Sequence, residues 1–294
     1  MSGVLWAAVA GIGFGLFQTV NRLAMRDLDV LPGTFMQLVV SGLVLVAPAL
    51  ATADLQRLPD LPRQPLLDFA AAGLLHFFAG WTLLNASHRR VGAARTSPLV
   101  ATVPVFATAL AAATLREIPD PPALAAIAAV VTGVALVTTG SPAEGAHARR
   151  RRDALFGLGA ALCWATSPLF IRRGLADVPS PLLGVTVGLG ASALAYAVVL
   201  TATARWPSWA TLSRRALLAK AVAGVLVGLS TWTRWIALSL APVGVVLAVA
   251  MLSVPTVLVL SPRVVGAQVE RVTVRVWAGA LCTVAGALAL VLRG

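Results

Sequence analysis

Ten stretches of this chain are each about twenty residues long and almost free of charge, the length a helix needs to cross a bilayer. They are 3–25, 32–53, 65–87, 93–115, 122–140, 154–175, 181–204, 216–239, 241–262 and 273–292. In lipid a backbone must satisfy its own hydrogen bonds, so a single apolar stretch of this length spans as an α-helix. The sequence therefore predicts an all-α integral membrane protein with ten transmembrane helices. Between the stretches lie "RDLDVLPG" (26–33), "DLQRLPDLPRQP" (54–65), "REIPDPP" (116–122) and "RWPSW" (205–209), charged and proline-bearing segments that stop helices. Composition agrees: 12% of residues are charged, where a soluble domain carries about 25%. The formal net charge of +12 then points to loops facing anionic lipid rather than to nucleic acid. Cys163 and Cys282 sit within apolar runs without CxxC or Cys/His spacing. Neither a disulfide framework nor a metal site is indicated, and no cofactor is expected. The N-terminal apolar run lacks a basic leader and is too long for a signal peptide, so it reads as the first membrane helix.

The longest polar stretch, "SPAEGAHARRRRD" at 141–153, falls at the middle of the chain and prompts a search for a repeat. An offset of 150 pairs Leu5 with Leu155, Ala10 with Ala160, Phe14 with Trp164, Arg22 with Arg172 and Asp27 with Asp177. An offset of 151 pairs Trp81 and Thr82 with Trp232 and Thr233, Ala86 with Ala237 and Pro104 with Pro255. An offset of 153 pairs Glu117 with Glu270, Val131 with Val284 and Gly133 with Gly286. The matches keep their order with small drift. They divide the chain into a first five-helix repeat (1–140), a basic polar linker (141–153) and a second five-helix repeat (154–294). Five is odd, so the second repeat enters the membrane from the opposite side, giving a 5+5 inverted-topology repeat. Such repeats are a common transporter design.

The same residues carry a family resemblance. "VGAARTSPLVATVPVF" (91–106), "LREIP" (115–119) and "GVALV" (133–137) resemble the proline-containing fourth helix, the LGE-type loop and the final helix of an EamA-type repeat. "PVGVVLAVAMLSVPTVLVL" (242–260), Glu270 and "AGALALV" (285–291) resemble a second copy, and "LWAAVAGIGFG" and "LFGLGAALCWA" fit the aromatic-rich start of each half. The resemblance spans nearly the whole chain and implies a member of the drug/metabolite transporter superfamily. Its EamA-type proteins mostly export amino acids and other small metabolites. This chain departs from the LGE pattern, with Arg116 in place of the glycine and a longer loop before Glu270. A structural role at a helix end is the expectation for the two carboxylates.

Polar groups inside the membrane line a cavity or bond a neighbouring helix. In the first helix Gly11, Gly15, Gln18 and Arg22 recur on one face, and Gln18 and Asn21 present amides either to another helix or to substrate. The glycines allow another backbone to approach. In the third helix Trp81 and Asn85 share a face one turn apart, with His76 on a neighbouring face. His76 reads as a packed histidine or a functional one, Trp81 as a lipid-facing anchor or a cavity wall matched by Trp232. Trp164, the counterpart of Phe14, joins the substrate-facing set. Pro98 and Pro104 interrupt the fourth helix, Pro168 the sixth and Pro255 the ninth. Each removes a backbone N–H and frees an earlier carbonyl. Pro104, Pro168 and Pro255 are the candidate hinges, with plain packing kinks as the alternative.

Arg234 is the sharpest feature. It stands in the run Ala221–Ala241, three residues past the centre at Thr231, or about 4.5 Å along the helix. Ser230, Thr231 and Arg234 share a polar face that Gly224 and Gly228 continue, and that face is expected to turn inward. An arginine at a helix centre carries a penalty of about 2.5–3.5 kcal/mol on translocon scales, so a partner or a wet cavity is required. No acidic residue lies deep in the ten stretches apart from Asp68 near an end. Three readings remain open: contact with substrate, snorkelling to an interface, and bonding to carbonyls freed by a proline. The repeat partner is Leu83, so the fold itself does not demand a charge here.

The expected substrate set is Gln18, Asn21, His76, Trp81, Asn85, Trp164, Ser230, Thr231 and Arg234. A central cation and the lack of a membrane-embedded glutamate disfavour the proton-coupled export of cationic drugs. The sequence points instead to a secondary transporter of a small neutral, zwitterionic or anionic metabolite, amino acid-like, working by alternating access in the direction of export. A membrane enzyme or a non-transporting scaffold are the competing classes. The scattered His76, His88 and His147 form no catalytic spacing, and no soluble domain is evident. A multi-pass protein of the plasma (inner) membrane is expected, a monomer without protein partner or nucleic acid. Sixteen basic residues, Lys220 among them, fall on the side away from the termini and six on the side of the termini. Charge alone therefore places "HARRRRD" in the cytoplasm and both termini outside, against the family expectation of cytoplasmic termini.

Overall fold

The structure, a computed structural model, describes residues 3–52, 54–115, 120–138, 146–206 and 213–292. The described residues hold helices and no strand. Six continuous helical stretches are long and apolar enough to cross a membrane: Gly3–Ala24, Val30–Ala51, Arg63–Val91, Arg152–Asp177, Pro181–Ala202 and Arg214–Leu240. Pro121–Val137, Ser253–Val264 and Val274–Ala289 are shorter apolar helices. "REIP" (116–119), with Glu117, and the start of the linker, 141–145, lie outside the described residues.

Helix α1 (Gly3–Ala24) and helix α2 (Val30–Ala51) form the first hairpin. Helix α3 (Arg63–Gly73) passes through a π-helical stretch, Leu74–Gly80, into helix α4 (Trp81–Val91). Gly92 ends this long span with φ +87°, a left-handed conformation that glycine adopts without a Cβ penalty. Helices α5 (Ala93–Val100) and α6 (Val103–Leu115) follow, then α7 (Pro121–Thr138). Helix α8 (Ala146–Asp177) begins inside the basic stretch read from the sequence as a linker. Helix α9 (Pro181–Ala202) and helix α10 (Arg214–Leu240) open on serine caps: Ser180 Oγ accepts from Leu183 N at 3.2 Å and Ser213 Oγ from Ala216 N at 3.2 Å. Helices α11 (Val243–Ala250), α12 (Ser253–Val264) and α13 (Val274–Val291) complete the chain.

Two spans are broken, and proline chemistry explains where. The ring of Pro104 lacks an N–H and crowds the carbonyl four residues back, at Val100. The helix stops at Val100 and restarts at Val103 through a tight turn in which Thr102 N reaches Leu99 O (3.2 Å). Pro255 stands four residues after Met251, and the chain turns at Met251 and Leu252 with Leu252 N on Val249 O (3.1 Å). Pro168 behaves differently. Helix α8 runs through it without interruption, contrary to the break expected from the sequence. Pro98 likewise sits inside α5.

Packing is close where side chains vanish. Helix α1 lies along α10 and against α11 and α12, and α2 also packs on α10. Helix α3 lies against α8 and α9, α5 and α6 against α8, and α7 against α13. A Cβ built on Gly11 would come 3.0 Å from Val249 O, and one on Gly15 3.0 Å from Ser253 O, so the small stripe of α1 does admit another backbone. Gly224 and Gly228 admit Val40 and Ser41 of α2.

Candidate functional site

The two helix breaks face each other across one cavity. Its wall includes Val100, Ala101 and Val103 from the first break and Ala250, Met251 and Ser253 from the second. Phe14 and Gln18 of α1, Trp164 of α8, Arg234 of α10 and Leu247 of α11 complete it. The space is about 40 Å³, enough for water and far below the roughly 300–1,000 Å³ of a typical ligand pocket.

Its polar lining is unusual in having little to bond. Arg234 is 6% exposed, and its Nε and Nη2 have no hydrogen-bond partner among the described residues. Gln18 is 3% exposed, and its Oε1 is equally without a partner. Burial this deep rules out snorkelling for Arg234. Asp68, the acid nearest to the membrane interior in sequence, instead accepts from Gln64 Nε2 (3.1 Å) and faces Arg173 Nε at 3.8 Å. The site thus presents N–H donors and an amide carbonyl, both desolvated, at the meeting point of two broken helices.

The aromatic wall is held from behind. Trp164 stacks on His76 with ring centroids 5.3 Å apart and planes at 20°. Its Nε1 donates to His76 O (3.3 Å), a carbonyl inside the π-helical stretch. A wide turn of this kind opens backbone groups that a regular helix would use internally. Gly80 makes room, since a Cβ there would meet the Trp164 indole nitrogen at 2.5 Å. His76 Nδ1 lies 3.0 Å from Ser167 Oγ.

Residues 1–139 match the model of the EamA-like transporter family. The match covers the first of the two halves read from the sequence. A solved crystal structure of a protein 17% identical to it covers 98% of this chain and is itself covered over 96%, with a TM-score of 0.64. At that identity the likeness is one of fold. No curated protein matches the chain. The match over the first half and the six long apolar helices together support a multi-pass membrane protein.

The cavity gathers Gln18, Trp164 and Arg234 from the residues expected in the sequence, with His76 behind the wall. Ser230 is not among its lining; its Oγ donates to Leu226 O (2.6 Å) beside Gly13. Thr231 is 1% exposed and its hydroxyl has no partner among the described residues. Trp81 is fully buried against Phe77, with centroids 4.9 Å apart, so it is neither lipid-facing nor an interfacial anchor.

Asn21 and Asn85 belong to a second polar cluster, one turn further toward the C-terminal end of α1. Asn21 Nδ2 donates to Asn85 Oδ1 (2.6 Å) and lies 2.9 Å from His88 Nδ1. Asn85 Nδ2 donates to Thr34 Oγ1 (2.8 Å) and Gln37 Oε1 (3.2 Å). At the centre is Lys220, fully buried. Its Nζ donates to Asn21 Oδ1 (2.5 Å), to Gln37 Oε1 (2.8 Å) and to Met25 Sδ (3.5 Å). Sequence reading counted Lys220 with the loop cations and missed this knot. A signal was present: 220, 224, 227, 231 and 234 follow alternating spacings of four and three, so Lys220 shares the inward face of Arg234.

Glu270 has the structural role expected of it. It is 1% exposed and caps α5, accepting from Ala93 N and Ala94 N at 3.2 Å each. Arg22 Nε donates to its Oε1 at 2.8 Å, and Arg22 Nη1 donates to His88 O at 2.6 Å. One carboxylate thereby joins α1, the end of α4 and the start of α5.

Proposed function

We propose that this chain is a secondary transporter of a small zwitterionic, anionic or neutral metabolite, amino acid-like, exported across the plasma (inner) membrane by alternating access. The observation that carries this is that Arg234, with Nε and Nη2 unpartnered among the described residues, and Gln18, with Oε1 unpartnered, line one cavity between the breaks. A carboxylate on the substrate would satisfy the guanidinium with charge-assisted bonds. An ammonium or amide N–H on the same molecule would satisfy the Gln18 carbonyl. Phe14 and Trp164 supply apolar walls for the rest of it.

The proposed frame is ten membrane helices in a 5+5 inverted repeat, with the two broken spans (α5 with α6, α11 with α12) counting once each. Support comes from packing that recurs in both halves: α1 on α10 matches α8 on α3, and α2 on α10 matches α9 on α3. The breaks before Pro104 and Pro255 are matched as well. In the proposal these two act as hinges, because widening a 40 Å³ cavity to hold a metabolite means moving its walls. Pro168, inside a continuous α8, has no break to flex. The transporter works as a monomer without a cofactor in this scheme.

A thermal-shift screen of the purified protein against amino acids, nucleosides and organic anions tests the reading. Stabilisation by carboxylate-bearing solutes, absent in Arg234→Leu, is the expected result. Stabilisation confined to solutes lacking a carboxylate, or retained in the variant, contradicts it.

A further inference from the structure

A groove of about 530 Å³ runs along the outside of the α1–α10 pair, away from the central cavity. Its floor is Val20 and Leu23 of α1 with Leu218, Ala219 and Val222 of α10, and its mouth carries Arg214 and Arg215. The order follows from helix geometry. Arg214, Leu218 and Val222 are spaced by four, and Arg215 and Ala219 by four, so each arginine stands one turn above an apolar floor residue. Leu218 is 57% exposed and Val222 49%, an apolar surface open to whatever surrounds the helix pair.

The two arginines differ from others at this end of the bundle. Arg22 is paired with Glu270, Arg89 with Asp29 and Arg90 with Asp153. Arg214 and Arg215 have no carboxylate partner among the described residues, and the first turn of α10 contains no acid. A pair of exposed guanidiniums above an apolar channel, in a membrane-spanning helix pair, is complementary to a molecule with an anionic head and a hydrocarbon tail. We propose that this groove is a binding site for one anionic phospholipid, its phosphate held by Arg214 and Arg215 and an acyl chain lying over Ala219 and Val222.

Native mass spectrometry of the full chain in detergent, with phosphatidylglycerol or phosphatidylcholine added, tests this. Two basic residues at a membrane surface give roughly tenfold or greater preference for the anionic lipid. One tightly retained phosphatidylglycerol per chain is therefore expected in the wild type. Arg214→Gln/Arg215→Gln should bind both lipids about equally, whereas Arg172→Gln/Arg173→Gln, an arginine pair outside the groove, should keep the preference. Ala219→Trp fills the groove and should lose the retained lipid with both arginines intact. No headgroup preference in the wild type, or a preference that survives Arg214→Gln/Arg215→Gln, overturns the headgroup site. Undiminished retention in Ala219→Trp overturns the acyl groove, and displacement by inorganic phosphate alone assigns the arginines to a free anion instead.

Discussion

Arg234 and Lys220 show two ways of keeping a cation inside a helix bundle. Lys220 is surrounded by neutral acceptors that take its N–H groups, whereas Arg234 is left with donors that nothing in the described chain meets. Leaving a charged group buried and unpaired is destabilising, so removing it leaves the fold intact or improves it. Arg234→Leu is accordingly expected to melt at the wild-type temperature or above it, measured by thermal unfolding in detergent; a large loss of stability would mean that the guanidinium is structural. Glu270 is the converse case. Its carboxylate holds two backbone N–H groups and Arg22, and hydrogen bonds to charged groups contribute about 1.5–3 kcal/mol each in favourable cases. Glu270→Gln keeps the shape and loses the charge, and a clear drop in melting temperature is the expected outcome. The polar residues were legible in the sequence as intramembrane, because cost alone marks them. Their sorting into two clusters was not, since Gln18 and Asn21 are three residues apart on α1 yet serve different partners. Lys220 was missed because its nearness to Arg214 and Arg215 made it look like part of a loop.

Turns and breaks decide more here than helix propensity does. Gly92 combines φ +87° with a Cβ position that would fall on the Glu270 carboxylate. Gly92→Ala therefore meets both backbone strain and a clash, and should lower stability more than Glu270→Gln does; a tolerated alanine would refute the geometry of this turn. The paired breaks before Pro104 and Pro255 are the moving parts in the proposed mechanism. Restoring the N–H with Pro104→Ala and Pro255→Ala should allow α5 to join α6 and α11 to join α12. Hydrogen exchange at residues 100–104 and 251–255 should then slow, with substrate flux reduced. Unchanged exchange would show that the turns persist without proline. Both breaks were legible, since a proline four residues on places each of them. The continuity of α8 through Pro168 was not: a proline's effect depends on whether its surroundings satisfy the freed carbonyl, which a single sequence does not state. The π-helical stretch around His76 had no sequence signal either, because its carbonyls at 76, 77 and 78 are met by Trp164 and Tyr196 arriving from other helices.

The whole molecule is a helical membrane bundle whose first half matches the EamA-like transporter family. The membrane bundle was readable from the long apolar stretches, since lipid permits few alternatives, and the family from the resemblance carried by motifs such as "VGAARTSPLVATVPVF". Orientation belongs to this scale. Moving Lys220 into the bundle leaves fifteen basic residues on the linker side against six on the terminal side, from the original sixteen and six. The excess still favours a cytoplasmic linker. Single cysteines introduced at 146 and at the C-terminus, labelled in intact cells with an impermeant thiol reagent, decide it. Labelling at the C-terminus alone is expected, and labelling at 146 alone reverses the assignment. The central claim is that a solute crosses the membrane through the cavity of Arg234, and uptake into proteoliposomes measures it directly. With radiolabelled amino acids and small organic anions, wild-type protein should carry at least one carboxylate-bearing solute well above protein-free vesicles. Folded Arg234→Leu should fall close to the protein-free level. Equal uptake by the two proteins would contradict the account.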